Sequence, residues 1–319
     1  MNHSRYQIAI LMVVAILVAG CKPLMINSLG DRFTPSNARD WSPEFAVSPA
    51  ASFSDDAVRL HNVRNVNYVT EDDFVVKYYD RTVNKNEITS VDFIVTPFQT
   101  APQLAHTMFS FGLTDGTYLG VSVEIRKEVG EKYSPLLGLG NQYEIAYVVA
   151  DERDLVRLRT RHLDADVYVF PTVATPEQAQ ELFASVMHRV NKLYSEPEFY
   201  NSVRNNCTTN LVDHVNNLRA NRVAFGWRIL LPGFSAEYAY DLGLLDNSIP
   251  FEDLQTIAYV SDLAERYHDS PDFSQQIRSR RRNIARIAAG QRARFQTLNS
   301  SGQEFLDQRV ADQQATRLR

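Results

Sequence analysis

Cys207 is the residue of this sequence best placed to act as a nucleophile. It follows Asn205-Asn206 and precedes Thr208-Thr209-Asn210, after which Leu211, Val215 and Leu218 recur at helical spacing. Asn206 is a good N-cap, which puts Cys207 in the first turn of that helix. There the unpaired N–H groups and the helix dipole favour a thiolate and lower the thiol pKa. The apolar stripe leaves the sulfur at the N-terminal end of the core-facing side, held by the core and reachable from a cleft. A buried structural cysteine is the competing reading. The capping context and the want of a disulfide partner weigh against it.

A thiolate needs a base, and the hairpin around Thr114-Asp115-Gly116 offers one. A three-residue loop with Gly last matches a type I turn closed by a left-handed residue. Leu113 then pairs with Thr117, and each further pair of positions sums to 230. One face becomes Leu113, Phe111 and Phe109 with Leu119, Val121 and Val123, almost wholly apolar. The other carries Ser110, Met108 and His106 with Gly120, Ser122 and Glu124. A two-residue loop would mix the faces, so the first register is expected. It sets His106 across from Glu124, the pairing that orients a general base. His214 competes poorly, lying two turns along the cysteine's own helix, about 10 Å by helical rise. His162 and His268 fall in loop-like sequence, His188 within a helix, and His61 ahead of the strands.

Other residues near these positions have a functional and a plain reading. Ser122 and Asn206 could donate to an oxyanion, although a sheet and a cap satisfy them without that role. Arg126 shares the face of Glu124 and could pair with it or bind a carbonyl or phosphate. Glu152, Arg153 and Asp154 read as a structural charged turn, and Tyr143 and Tyr200 as core-edge aromatics. No HxH or HxxxH spacing, P-loop, GxGxxG or GxSxG occurs, so no metal or cofactor is expected. Two cysteines in 319 residues exclude a disulfide-stapled fold and any four-cysteine metal site.

Positioning the triad takes strands first and helices after. Strand-like runs cover 67–69, 74–79, 90–95, 106–113, 118–126, 144–149 and 167–170. A helix begins at Thr175-Pro176-Glu177, with Ala179, Leu182, Phe183, Val186, Val190 and Leu193 at helical spacing. The cysteine helix follows to about Leu218, and helical pattern returns over 236–242, 251–266 and from Asp272. Strands gathered before helices predict an α+β domain over 56–275, an antiparallel sheet packed with helices.

The ends of the chain bear on location. Residues 1–20 read as a signal peptide, with Arg5 ahead of an uncharged apolar run over 8–18 and small residues before Cys21. Val18-Ala19-Gly20-Cys21 resembles a bacterial lipobox, so Cys21 is expected to carry a diacylglyceryl anchor, with 21–55 as a tether. Lys22, in place of the Asp that would resemble an inner-membrane retention signal, points to the outer membrane, with the body facing the periplasm. From Gln275 onward there are ten arginines against three acids. This tail, 276–319, reads as solvated, with attraction to anionic lipid headgroups or an anionic envelope polymer as the sharper alternative. A net charge of −5 and a pI near 5.8 argue against a nucleic-acid partner.

The order of histidine strand, acid strand and cysteine helix resembles circularly permuted relatives of papain-like NlpC/P60 enzymes. A closer resemblance runs from about Asp56 to Arg282. Val63-Arg64-Asn65, the segment from Ala105 to Phe111, Asp115-Gly116-Thr117-Tyr118 and the segment from Val121 to Arg126 are similar to the Lnb N-terminal periplasmic domain family. So are the segment from Tyr143 to Tyr147, Glu152-Arg153-Asp154, Phe199-Tyr200-Asn201 and Asn206-Cys207-Thr208-Thr209. The resemblance implies a permuted papain-like thiol-enzyme domain with Cys207 as nucleophile and His106 as base. It implies a transacylase-like activity, in which an acyl group passes from a lipid or lipoprotein through a cysteine thioester to an amine. Glu124 as the orienting acid rests on the hairpin geometry alone. A peptidoglycan or peptide amidase with the same chemistry, and a non-catalytic envelope binding module, are the alternatives.

Overall fold

In the computed structural model the described residues are 34–70, 73–132, 134 and 137–282. Cys21, the signal segment and the basic chain beyond 282 lie outside them. The eight strands are β1 (Ala50–Phe53), β2 (Ala57–Tyr68), β3 (Phe74–Asn84), β4 (Ile88–Phe98), β5 (Ala101–Leu113), β6 (Tyr118–Arg126), β7 (Glu144–Asp151) and, after the first helix, β8 (Tyr168–Pro171). They form one sheet in the order β1-β2-β7-β6-β5-β4-β8, with β3 pairing β2. All pairings are antiparallel except that of β2 with β7. The helices are α1 (Glu152–Arg157), α2 (Pro176–Ser195), α3 (Cys207–Asn217), the single turn α4 (Trp227–Leu230), α5 (Ser235–Asp241), α6 (Phe251–Ala258), α7 (Ser261–Arg266) and α8 (Phe273–Gln276). The α+β architecture and the largely antiparallel sheet are as expected.

The β5–β6 hairpin adopts the expected register. Met108 faces Ser122, Phe109 Val121, Ser110 Gly120, Phe111 Leu119 and Gly112 Tyr118. Gly116 closes the turn at φ +80°, where a Cβ would be strained, and its N–H donates to the Leu113 carbonyl. The register gives the sheet two distinct faces. Phe109, Phe111, Leu119, Val121 and Val123 pack under α2 and α3 with Phe183, Val186 and Leu211. On the opposite face Met108, Ile94 and Val148 meet Leu155, Leu263 and Phe273. Full burial of each such side chain is worth about 1.5–3 kcal/mol, which makes both helical layers obligatory covers. Thr175 caps α2 in a capping box with Gln178, and Pro176 takes the first helical position.

Three readings of the sequence change. Residues 34–55 belong to the folded body: Trp41 is buried, stacked under the Arg126 guanidinium at 4.2 Å, and β1 joins the sheet. At the other end Arg278, counted with the solvated tail, is buried between Asp92 and Glu152, at 2.8 and 2.5 Å. Its neighbour Arg281 also reaches Asp92, at 2.9 Å. The expected helix over 251–266 is two helices, interrupted where Tyr259 bridges Tyr168 of β8. Among the described residues no helix is long and apolar enough to cross a membrane.

Candidate active site

Helix α3 starts as its sequence dictates. The Asn206 side chain accepts from the Thr209 N–H at 2.9 Å, and the Thr209 hydroxyl accepts from the Asn206 N–H at 2.9 Å. Cys207 is therefore the first helical residue. It is a free thiol, only 7% exposed, and it forms part of the core that α3 makes with the sheet. Thr107 of β5 fixes the helix start through a hydroxyl contact with Thr208 at 3.1 Å.

His106 comes from the point where two strands part. The β5–β6 ladder ends at Met108 and Ser122, while β5 stays paired with β4 as far as Ala101 and β6 with β7 as far as Arg126. The notch between them holds His106, Ser122 and Glu124, and Cys207 lines the same cleft and interacts with His106. Burial pushes the thiol pKa up. Its hydrogen bond to His106, the charge of that ring, and hydrogen bonds with Thr107 outweigh this and bring it down to about 7.

Glu124 does not take the imidazole directly. His106 Nε2 is 2.7 Å from Ser122 Oγ, and Ser122 Oγ donates to Glu124 Oε1 at 2.6 Å. The direct approach of Nε2 to Oε1 is 3.6 Å. Arg159 Nη2 donates to the same carboxylate oxygen at 2.9 Å, and Arg159 Nη1 is held by the Leu155 carbonyl. Burial raises the Glu124 pKa, but the charges of His106 and Arg159 and the Ser122 hydroxyl together hold it well below the usual carboxylate range. An ionised carboxylate only accepts. The Ser122 hydroxyl must therefore give its hydrogen to Glu124 and accept from Nε2–H of His106. That assigns the proton to Nε2 and leaves Nδ1 as the nitrogen free to take the thiol proton.

This geometry bears on five expectations about individual residues. Ser122 lies between imidazole and carboxylate, so its hydroxyl is not a free oxyanion donor. The Asn206 amide donates to the Ser202 carbonyl at 2.8 Å and serves as the cap. Arg126 neither pairs with Glu124 nor faces the notch: its guanidinium holds the Phe45 carbonyl, at 3.0 and 3.1 Å, and Asn37 at 2.8 Å. His214 sits in a separate buried network with Tyr147 and Ser185. Glu152 and Asp154 pair with Arg278 and Arg64, as a structural charged turn would.

Residues the sequence did not reveal complete the site. Arg159 comes from Leu158–His162, a turn of wider π geometry after α1. A cleft of about 570 Å³ opens in front of Cys207, His106 and Glu124, walled in part by Phe74, Phe98, Leu104 and Leu230. Two further lining groups, the hydroxyls of Tyr68 and Thr96, are buried with no hydrogen-bond partner among the described residues. Spacing Ser122 and Glu124 two apart on one strand face was a usable signal for their contact. Nothing local announces Tyr68, Thr96 or Arg159.

The α+β domain thus brings a capped helix-start cysteine, a strand histidine and a carboxylate into one cleft. Residues 75–233, which span β3 to the turn after α4 and include Cys207, His106, Ser122, Glu124 and Arg159, match the model of the Lnb N-terminal periplasmic domain, and the chain belongs to that family. The family is one of periplasmic domains, which places the chain in the cell envelope. No curated protein and no solved structure matches the chain.

Proposed function

We propose that the chain is a thiol acyltransferase or hydrolase acting on a lipid or lipoprotein acyl group, through Cys207, His106 and Glu124. The observation that carries this reading is the thiol brought down to about 7 beside an imidazole whose far nitrogen is tied to Ser122 and Glu124. Cys207 as thiolate attacks the acyl carbonyl of an ester. Nδ1 of His106, which holds the thiol proton, passes it to the departing alcohol oxygen, and a thioester remains on Cys207. An amine or water then attacks the thioester, loses its proton to Nδ1, and releases the thiolate. The N–H groups of Cys207 and Thr208, the first two of α3, have no intrahelical acceptor and are the available donors for the carbonyl oxygen. The unpartnered Tyr68 and Thr96 hydroxyls are further polar groups of residues lining the same cleft.

The apolar cleft walls support an acyl substrate over a peptidoglycan stem or peptide. On this reading Cys21 carries the lipid that anchors the domain at the outer membrane, and the basic segment beyond Arg282 meets anionic lipid or an envelope polymer. The relationship to papain-like NlpC/P60 enzymes belongs to the same proposal, supported by the order of strand histidine and helix cysteine.

Trapping the acyl-enzyme tests the proposal. After incubation with envelope extract, intact-protein mass spectrometry is expected to find a fatty-acyl adduct on Cys207 that hydroxylamine removes and Cys207→Ala lacks. A muropeptide adduct would replace the acyl reading with amidase chemistry. With neither adduct formed, the binding-module reading would stand.

A further inference from the structure

A second cavity, of about 280 Å³, lies on the other side of the nucleophile helix. Cys207 does not line it, but the next turns of α3 do, through Leu211 and Val215, facing Phe93 and Phe109 of the sheet and Ile229 and Leu245 beyond. Its hydroxyls are already engaged. Thr172 donates to the Val91 carbonyl, Ser235 to that of Pro232, and Tyr238 to that of Ala224, while Thr208 meets Thr107. Arg219 is the exception: it lines this apolar space, and its Nη1 is buried with no hydrogen-bond partner among the described residues. A guanidinium stays charged, and leaving one of its donors buried and unmatched is costly. An apolar cavity with a single unmet cation is complementary to an amphiphile, with hydrocarbon against the walls and an anionic oxygen on the arginine.

The rim agrees with such a ligand. Val173, which lines the cavity, is exposed, as are Phe225 and Trp227 on the segment that leads to Ile229. Taking about 30 Å³ for a water-sized group, the space holds about nine methylenes.

We propose that this cavity binds one hydrocarbon chain ending in a carboxylate, with the carboxylate on Arg219. The proposal rests on the acyl-transfer reading for the source of the chain, since transfer of the acyl group to water releases a fatty acid. Binding itself needs no chemistry at Cys207.

Titration calorimetry on the full chain carrying Cys207→Ser, which separates binding from turnover, tests it with decanoate, decanol and methyl decanoate below their aggregation limits. Decanoate is expected to bind saturably, one per chain, with a negative heat-capacity change. Decanol and methyl decanoate should bind roughly tenfold or more weakly, for want of the charge-assisted hydrogen bond. Arg219→Gln should bring decanoate down to the decanol level and leave decanol unchanged, and Ala239→Phe, on the cavity wall, should weaken all three. The absence of saturable decanoate binding, or equal decanoate affinity in Arg219→Gln, overturns the proposal. Methyl decanoate binding tighter than decanoate overturns the carboxylate and assigns the site to an esterified chain. If acyl trapping fails while decanoate binds as expected, the catalytic reading falls and this site stands.

Discussion

Ser122 gives the sharpest handle on the site, because a structural hydroxyl and an orienting hydroxyl predict different things. Its Oγ joins His106 Nε2, at 2.7 Å, to Glu124, at 2.6 Å, while the direct gap between ring and carboxylate is 3.6 Å. Ser122→Ala removes both hydrogen bonds and leaves the ring without its tether. Hydrogen bonds to a charged group contribute about 1.5–3 kcal/mol each. At about 1.4 kcal/mol per pKa unit, losing one such contribution moves the thiol up by about one to two units, from about 7 toward the ordinary range. The thiolate share at pH 7 then falls from about half to between a tenth and a hundredth. Iodoacetamide alkylation rates of Cys207, measured from pH 5.5 to 9.5, read this directly as a shifted midpoint. Glu124→Gln should give a smaller shift, since the amide oxygen still accepts from Ser122 but carries no charge. If Ser122→Ala lowers the melting temperature and leaves the alkylation midpoint where it was, the orienting role is wrong and the hydroxyl is structural.

Cys207→Ala and His106→Ala should each abolish hydrolysis of p-nitrophenyl butyrate, and the double variant should be no worse than either, because the two residues act as a unit. His214 supplies a pH test of stability away from the site. Burial holds its pKa down to about 4 from an ordinary 6.5, so its contribution is complete above about pH 6.5 and is lost as pH falls through 4. The loss amounts to about 3 kcal/mol, visible as a falling urea midpoint that His214→Gln flattens. Arg278→Ala strands the buried carboxylate of Glu152 and leaves Asp92 with Arg281 alone, and should cost about 3–5 kcal/mol by the same urea measurement. A cost below about 1 kcal/mol would mean that this end of the chain is not part of the core.

The parts of the site readable from sequence are those whose signal is local. Asn206 and Thr209 make a cap within one turn, so the position of Cys207 at a helix start follows from a few neighbouring residues. Turn chemistry at Thr114-Asp115-Gly116 and the apolar alternation beside it specify the hairpin register, and with it the shared face of His106, Ser122 and Glu124. The interruption at Tyr259 was hidden for the opposite reason, because apolar spacing continues through a break that a contact with Tyr168 imposes.

Tertiary structure decided which charges meet. Arg126 shares a strand face with Glu124, yet the chain folded back from Asn37 to Phe45 takes it up. The carboxylate is partnered by Arg159, 35 residues on, delivered by the turn after α1. Arg278 reads as solvated within a basic run, and is buried because Asp92 and Glu152 arrive from 186 and 126 residues away. Caps, turns and periodicity arise from backbone geometry over three or four residues and are therefore written in sequence order. A charge can leave water only where opposite charge waits for it, and where that is depends on which strands and helices the core brings together.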